Sequence, residues 1–265
     1  MGHYDHRVHA GNAGDVWKHF LLLEAADCLL DIDGSLVYAE SHVGRPEYAL
    51  REPGDWEGGI GMIRPLLPSL GNFCHFNILA DLNPEISSFP ILYPGSARLI
   101  YELAKNKGTN LQADVWDNDS CVAGSWESFT EAAAAKPAGA FLPAKIVFHQ
   151  GDGFQGVLSW LHRSPPGLLF IDPPYIDSQD VRLAEKLLQR AKDLGWIVLW
   201  WFMMDTKTAP DDLQTFELCF SEVGLEGGRM KGANVAFAGG ECERFDHLIS
   251  HMHRQIDKFI RVLKR

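Results

Sequence analysis

The chain has 265 residues, of which 46% are hydrophobic and 22% charged, and its formal net charge is −11. This length and composition are typical of one globular domain with a large core, and they exclude a largely disordered chain. The negative charge counts against a surface that coats nucleic acid broadly, and no apolar run reaches the length of a membrane span.

The first residues, MGHYDHRVHAG, lack the apolar stretch of a signal peptide. The five cysteines are scattered without a CxxC pair, which is typical of a reduced protein, so we expect a cytoplasmic location. A local basic patch is still compatible with the net charge. We expect any contact with a polynucleotide in the first 110 residues, which contain Arg7, Lys18, Arg45, Arg51, Arg98, Lys105 and Lys107.

The first half of the chain predicts helices and strands in alternation. Asn12 and Asp15 are both suitable N-caps for the first helix, and Glu40 ends the first strand. The predicted elements are a helix (11–30), a strand (35–40), an irregular insertion rich in Pro, Gly and Trp (45–95), a helix (97–105) and a strand (110–117).

The second half continues this alternation. The predicted elements are a helix (126–136), a strand from residue 144 to near Asp152, a short helix (155–161), a strand (167–175), an amphipathic helix (181–194), a strand (195–203), a helix (211–221), a hairpin (222–239) and a C-terminal helix. Strands that alternate with helices predict a doubly wound, mostly parallel α/β sheet. We expect one domain over 1–265 with an insertion subdomain at about 45–95.

Acidic residues lie at or near the ends of four predicted strands. They are Glu40, Asp114, Asp152 and Asp172. A single acid in such a place commonly caps the next helix, and capping is the alternative explanation here. Ligands of open α/β sheets bind beyond the carboxyl ends of the strands, so four acids on one edge indicate a binding site.

A nucleotide-like cofactor accounts for these positions. We expect Asp114 to accept hydrogen bonds from ribose hydroxyls, since an acid after the second strand commonly does so. Asp152 would accept from an adenine amino group, and Phe154 would be an apolar wall beside the base. The stretch GLLFIDPPYID (167–177) is then left for a second ligand.

The DPPY stretch forms a rigid shelf at the end of its strand. Prolines donate no hydrogen bonds to a sheet, and each restricts the residue before it to extended backbone. Asp172 and the Pro173 carbonyl can therefore accept hydrogen bonds from an exocyclic amine while Tyr175 stacks on its ring. This arrangement favours methyl transfer from a sulfonium to the amine, with Asp172 taking the proton and no metal required.

These residues resemble a known family. DPPY after a strand is similar to the motif of amino-group methyltransferases that use S-adenosylmethionine. The opening YDHRVHAGNAGDVWKH (4–19) closely resembles that of the RlmJ-type 23S ribosomal RNA adenine-N6 methyltransferases. YPGS (93–96), GDGF (151–154), GLLFIDPPY (167–175) and LWW (199–201) occur in the family's order.

The resemblance implies a Rossmann-like class I methyltransferase fold and an S-adenosylmethionine pocket. The residues it implies for that pocket are Lys18, His19, His42, Gly44, Ser96, Asp114, Asp152, Gly153 and Asp172. The catalytic residues it implies are Asp172, Pro173 and Tyr175, with Tyr4 and Tyr175 contacting the substrate. The expected partner is protein-free ribosomal RNA whose target adenine is single-stranded or flipped out.

Three departures from the family pattern leave alternatives open. Arg45 and Pro46 replace small residues in the loop after the first strand, Ile176 replaces a glutamate after DPPY, and NVAFAGG (234–240) replaces an NPP-containing strand. One alternative is the same fold acting on another amine, such as a DNA adenine, a protein amide or a small molecule. The other is a binding protein that has lost efficient transfer.

Two groups of histidines are candidate metal sites. His3, His6 and His9 alternate near the N-terminus, and His247 and His251 share a helix face with Cys242 and His253 nearby. Neither group has a convincing set of further ligands, so we expect solvated side chains and no metal. The sequence predicts no oligomeric state.

Overall fold

A computed structural model describes residues 8–51, 53–84, 91–134, 144–205, 213–240 and 242–265. The strands in these ranges are β1 (Ser35–Glu40), β2 (Glu47–Leu50), β3 (Ile91–Pro94), β4 (Asn110–Asp117), β5 (Ala144–Gln150), β6 (Leu168–Ile171), β7 (Ile197–Met203), β8 (Gln214–Cys219) and β9 (Gly232–Ala238). The α-helices are α1 (Ala13–Asp33), α2 (Ile60–Ile63), α3 (Leu67–Leu70), α4 (Cys74–Leu82), α5 (Ser96–Lys107), α6 (Ser120–Ala134), α7 (Gly153–Trp160), α8 (Gln179–Asp193) and α9 (Glu243–Leu263).

Seven strands form the main sheet in the order β5-β4-β1-β6-β7-β9-β8. The first five of these run parallel, and β9 runs antiparallel to both of its neighbours. The chain winds outward from β1 to β5 and then returns to β6 on the other side of β1. This arrangement confirms the predicted fold class, a doubly wound, mostly parallel α/β sheet of Rossmann-like type. The switch point of such a sheet, where ligands bind, lies between the carboxyl ends of β1 and β6.

Helices cover both faces of the sheet, which explains why its central strands are apolar throughout. One core lies between the sheet and a layer that includes α1, α5 and α9, where Phe20 stacks on Phe259 with ring centroids 4.3 Å apart. The other core lies under α7 and α8 and includes Trp196 and Trp200. The Asn12 side chain accepts a hydrogen bond from the Asp15 N–H, so Asn12 is the N-cap of α1, one of the two candidates predicted.

The insertion over 45–95 contains more regular structure than its sequence predicted. β2 and β3 pair antiparallel at its two ends, and α2, α3 and α4 lie between them. Phe73 and Phe76 contact Phe20 of α1, so this segment shares the main core.

The predicted helix over 211–221 is wrong. Gln214–Cys219 is a strand, followed by a 3-10 turn at Phe220–Val223. Phe216 and Leu218 are buried while Glu217 is exposed, which is the two-residue period of a strand at a sheet edge. β8 pairs with β9, so the hairpin begins at Gln214 rather than at residue 222. No helix within the described ranges is long and apolar enough to cross a membrane.

Candidate functional site

Three of the four acids chosen from the sequence meet at one edge of the sheet. Glu40 ends β1, Asp172 follows β6 directly, and Asp152 lies two residues after β5. Because these strands are parallel, their carboxyl ends open into the same crevice. The structure therefore brings these carboxylates to the edge where a ligand is expected.

Asp114 lies near the end of its strand, three residues before the last residue of β4. Pairing of β4 with β5 continues for three more residues, so Asp117 ends the strand. Because successive side chains of a strand alternate between its two faces, Asp114 lies on the face of the sheet opposite to Asp117. There, His149 Nε2 lies 2.7 Å from the Asp114 carboxylate. The Asp117 carboxylate accepts hydrogen bonds from the N–H groups of Gly44 (3.0 Å) and Asp119 (2.9 Å). Burial raises the pKa of Asp117, although these hydrogen bonds oppose the rise.

Lys18 joins two carboxylates at the centre of the edge. Its Nζ lies 2.7 Å from Asp15 Oδ1 and 2.7 Å from Asp172 Oδ2, and 5.0 Å from the centroid of the Trp201 ring. Burial alone lowers the pKa of Lys18, but the charges of Asp15 and Asp172 raise it well above its usual range. Lys18 is therefore a buried cation whose charge lies between the carboxylates of Asp15 and Asp172.

Glu40 is fully buried beside this ion pair, and Lys18 is the cation whose charge acts on it. The hydroxyls of Tyr38 (2.7 Å) and Ser96 (2.5 Å) donate to its two oxygens. Burial raises its pKa to about 8, and Asp172 adds to the rise while the two hydroxyls oppose it. Burial and the neighbouring Asp172 therefore favour the protonated form of Glu40.

The DPPY shelf is locked by hydrogen bonds between aromatic residues. Pro173 is buried, and the Trp200 Nε1–H donates to the Tyr175 hydroxyl at 2.7 Å. That hydroxyl in turn donates to the Trp201 carbonyl. Ile176, the residue that replaces a glutamate, is 71% exposed. The Tyr175 ring is thus held at the mouth of the site, with an apolar side chain beside it.

His19 belongs to a buried aromatic group behind the edge. Its Nδ1 is hydrogen-bonded to the Tyr93 hydroxyl at 2.9 Å, and its ring meets the edge of His75 with centroids 5.8 Å apart. Burial lowers the pKa of His75 to about 3, so that ring is neutral at physiological pH. This group positions His19 near the first turn of α5, which begins at Ser96.

His42 and two glycines shape the loop after β1. His42 Nδ1 lies 2.9 Å from Ser41 Oγ, and burial lowers the His42 pKa to about 4. A Cβ on Gly153 would lie 1.5 Å from the Ser41 carbonyl oxygen, so only glycine permits this approach of α7 to β1. Gly44 has a φ of +60°, and its carbonyl accepts from Trp126 Nε1 at 2.8 Å.

Arg45 and Pro46, the residues of this loop that depart from the family pattern, form hydrogen bonds through their backbone groups. Arg45 N–H donates to the Tyr48 hydroxyl at 2.9 Å, and the Pro46 carbonyl accepts from the Gly95 N–H at 3.0 Å. The loop is therefore tied to the residue that precedes Ser96.

Asp152 and Tyr4 complete the sequence-predicted site. Asp152 is exposed and acts as the N-cap of α7, since its Oδ1 accepts from the Gln155 N–H at 3.0 Å. Tyr4 lies outside the described residues, as do His3 and His6. Within the described part of the chain, no group of three His, Cys, Asp or Glu side chains is placed to hold a metal ion.

Sequence reasoning missed several residues of this edge. Asp15 could have been found from its three-residue spacing to Lys18, and Asp117 from its place at the end of the predicted strand. The contact between Lys18 and Asp172 joins residues 154 positions apart, and no local sequence pattern predicts it.

The site and the fold together define a class, a doubly wound α/β protein with a DPPY shelf at its ligand-binding edge. No family model matches the chain. It is 24% identical over 196 residues to Ribosomal RNA large subunit methyltransferase J of Haemophilus influenzae, a match that covers 70% of this chain and 64% of that relative. The chain thus spans just under two thirds of the relative's length. The match confirms the predicted resemblance to the RlmJ-type family, at the level of a divergent relative.

A solved structure supports the fold. Protein LPL1258 of Legionella pneumophila superposes with a TM-score of 0.70 at 19% sequence identity, covering 95% of this chain and 94% of that one. At this identity the likeness concerns the fold alone.

Proposed function

We propose that this chain is an S-adenosylmethionine-dependent methyltransferase that modifies the N6 amine of an adenine in ribosomal RNA of the 23S type. The observation that carries the proposal is the shelf at the end of β6, where Asp172 is paired with Lys18 and the Tyr175 ring is fixed by two tryptophans. The name of the Haemophilus influenzae relative, a ribosomal RNA large subunit methyltransferase, supports the substrate class.

The residues around β1 fit the proposed cofactor. The close approach at Gly153 and the left-handed Gly44 leave backbone rather than side chains beside the end of β1. In this proposal Asp117, at the end of β4, would accept hydrogen bonds from ribose hydroxyls, the role first expected of Asp114. Asp152 and Phe154 would contact the adenine, with His19, His42 and Ser96 near the methionine end. S-adenosylmethionine would supply a methyl group activated on a sulfonium.

The shelf accounts for the proposed reaction. Asp172 and the Pro173 carbonyl would accept hydrogen bonds from the exocyclic amine of an adenine stacked on Tyr175. The amine needs little help from a base before it attacks, so its position and the local charge carry most of the rate. Lys18 keeps Asp172 ionised, and Asp172 takes the proton that the nitrogen releases after transfer. Tyr4 is the further substrate contact in this proposal.

Substitution of Asp172 by asparagine tests this role. Asp172→Asn keeps the shape of the side chain but removes the proton acceptor, so we expect transfer to protein-free, unmodified 23S ribosomal RNA to fall by at least about 100-fold. Affinity for S-adenosylmethionine, measured by calorimetric titration, should change little because other residues hold the nucleoside. The matched control is Asp177→Asn in the same loop, where asparagine can keep the hydrogen bond that Asp177 Oδ1 accepts from the Gln179 N–H. Activity of Asp172→Asn within a few fold of wild type would refute the role.

The same assay separates the alternative substrates. Methylation of DNA but not RNA would leave the fold and reaction unchanged and would replace the substrate. Micromolar cofactor binding without transfer to either nucleic acid would favour a protein that has lost the reaction.

A further inference from the structure

The turn at residues 224–231, between β8 and β9, lies at the same edge of the sheet as the shelf. β9 runs antiparallel to β7, and Ala233 pairs with Met203, the last residue of β7. The Met204 N–H also donates to the Gly232 carbonyl at 3.3 Å. The residues that precede Gly232 therefore extend beyond the carboxyl end of β7, beside Asp172.

This turn is fastened on two sides. The Glu226 N–H donates to the Gly58 carbonyl of the insertion at 2.8 Å. On the other side, Met230 and Trp201 both lie against Gly14 of α1, with side-chain atoms 3.5 and 3.4 Å from where a Cβ would stand. The Trp201 ring also lies 5.0 Å from Lys18 Nζ. Met230 is therefore close to the ion pair of Lys18 with Asp172, with Trp201 between them.

Two exposed cations flank Met230. Arg229 and Lys231 are both exposed, and neither forms an ion pair with any residue that the structure describes. Several cations of the first 110 residues, where a polynucleotide contact was expected, are already paired with carboxylates. These are Lys18, Arg98, Lys105 and Lys107.

The opposite side of the shelf is acidic. The loop that leads from Tyr175 to α8 carries Asp177 and no basic residue, and Asp180 follows in the first turn of α8. A polyanion that places a base on the shelf is repelled from that loop and attracted to the turn at 224–231. A nucleic-acid strand bound at the shelf is therefore expected to continue toward the turn at 224–231.

We infer that Arg229 and Lys231 bind phosphates of the RNA strand next to the adenine on the shelf. The inference rests on the proposed function and adds to it the path of the substrate. Met230 anchors the two cations at a fixed distance from the shelf, so that phosphate binding positions the target base as well as raising affinity. In a protein of net charge −11, such a contact is local and therefore sensitive to salt.

The test measures methylation of protein-free 23S ribosomal RNA at several salt concentrations. For single strands each phosphate contact contributes about 0.7 to the slope of log affinity against log salt, so at about 0.1 M salt Arg229→Ala and Lys231→Ala should each raise the KM for RNA roughly fivefold. The double variant should raise it roughly 25-fold and reduce the slope by about 1.4. Affinity for S-adenosylmethionine should stay unchanged, and Arg229→Lys should retain most of the RNA affinity.

The control removes the same charge elsewhere. Arg163 lies between α7 and β6 at the opposite edge of the sheet, and Lys186 lies on the exposed face of α8. Arg163→Ala/Lys186→Ala should leave the KM within about twofold of wild type. An equal rise in both double variants would overturn the inference, because net charge alone would then explain it. An active wild type with an unchanged KM in the Arg229 and Lys231 variants would overturn it too and leave the proposed function standing. A wild type that binds the cofactor but methylates no RNA would overturn both.

Discussion

At the scale of single residues, Tyr175 shows how the site holds an unfavourable conformation. Its φ of 53° is the only positive value for a non-glycine residue in the described ranges. Such a conformation costs a bulky residue about 1–3 kcal/mol and persists only where the surroundings enforce it. The hydrogen bonds from Trp200 to the Tyr175 hydroxyl and from that hydroxyl to the Trp201 carbonyl supply this constraint.

Trp200 is therefore a positioning residue for Tyr175. Trp200→Phe keeps an aromatic ring but removes the Nε1–H, so we expect kcat for RNA methylation to fall about tenfold while the KM for the cofactor stays the same. Trp196→Phe is the matched control, because the buried Trp196 Nε1 has no hydrogen-bond partner among the described residues. If the two variants lose kcat equally, packing rather than the hydrogen bond is responsible.

Glu40 gives the free energy of unfolding a pH dependence between about pH 4.5 and pH 8, and among Glu40, His42 and His75 it is the main one above pH 6.5. Its pKa is about 8 in the folded protein, against an ordinary value of 4.5. The folded state therefore holds a proton that the unfolded state releases, and stability falls as pH rises toward 8. His42 and His75, whose pKa values are lowered to about 4 and about 3, act in the opposite direction below pH 6.5.

We expect urea denaturation of the wild type to show a loss of about 2 kcal/mol between pH 6.5 and pH 8. Glu40→Gln mimics the protonated side chain, since its amide can donate to one of the two hydroxyls and accept from the other. Its stability should be nearly constant over this range. A wild-type profile that stays flat above pH 6.5 would show that Glu40 is ionised.

At the scale of elements, the contact between the end of β1 and the start of α7 decides the shape of the crevice. Gly153→Ala would place a methyl group on the Ser41 carbonyl, which must move α7 away from β1. We expect the free energy of unfolding to fall by at least about 2 kcal/mol, with weaker cofactor binding. Gly124→Ala in α6 is the control, because its Cβ would meet nothing within 4 Å. That change should raise stability by up to about 1 kcal/mol, and equal thermal unfolding temperatures for the two variants would contradict the steric argument.

The elements also show where sequence reasoning succeeds. The strands over 35–40 and 110–117 were predicted to the residue, because apolar runs between turn residues are strong local signals. Gln214–Cys219 was mistaken for a helix because a short segment with few apolar residues fits either period. Its strand conformation comes from pairing with β9. β2 and β3 were missed because they pair across at least 40 intervening residues.

The site, too, has residues that the sequence predicts and contacts that it does not. The rule that ligands bind at the carboxyl ends of parallel strands located Glu40, Asp152 and Asp172, and the proline restriction identified the shelf. Sequence reasoning could not reveal the Lys18–Asp172 ion pair or the hydrogen bonds of Tyr175 with Trp200 and Trp201, which form only when distant segments pack. Nor could it choose between Asp114 and Asp117, because the hydrogen bonds of Asp114 to His149 and of Asp117 to Gly44 form only when distant segments pack.

At the scale of the whole molecule, the position of β9 has a consequence for biosynthesis. β9 is the last strand in the chain, yet it lies inside the sheet, between β7 and β8. Until it is made, the apolar IVLWWFM strand has an open edge next to the shelf. A ribosome-bound chain that ends before residue 232 thus leaves one edge of β7 unpaired, and an unpaired apolar edge promotes aggregation.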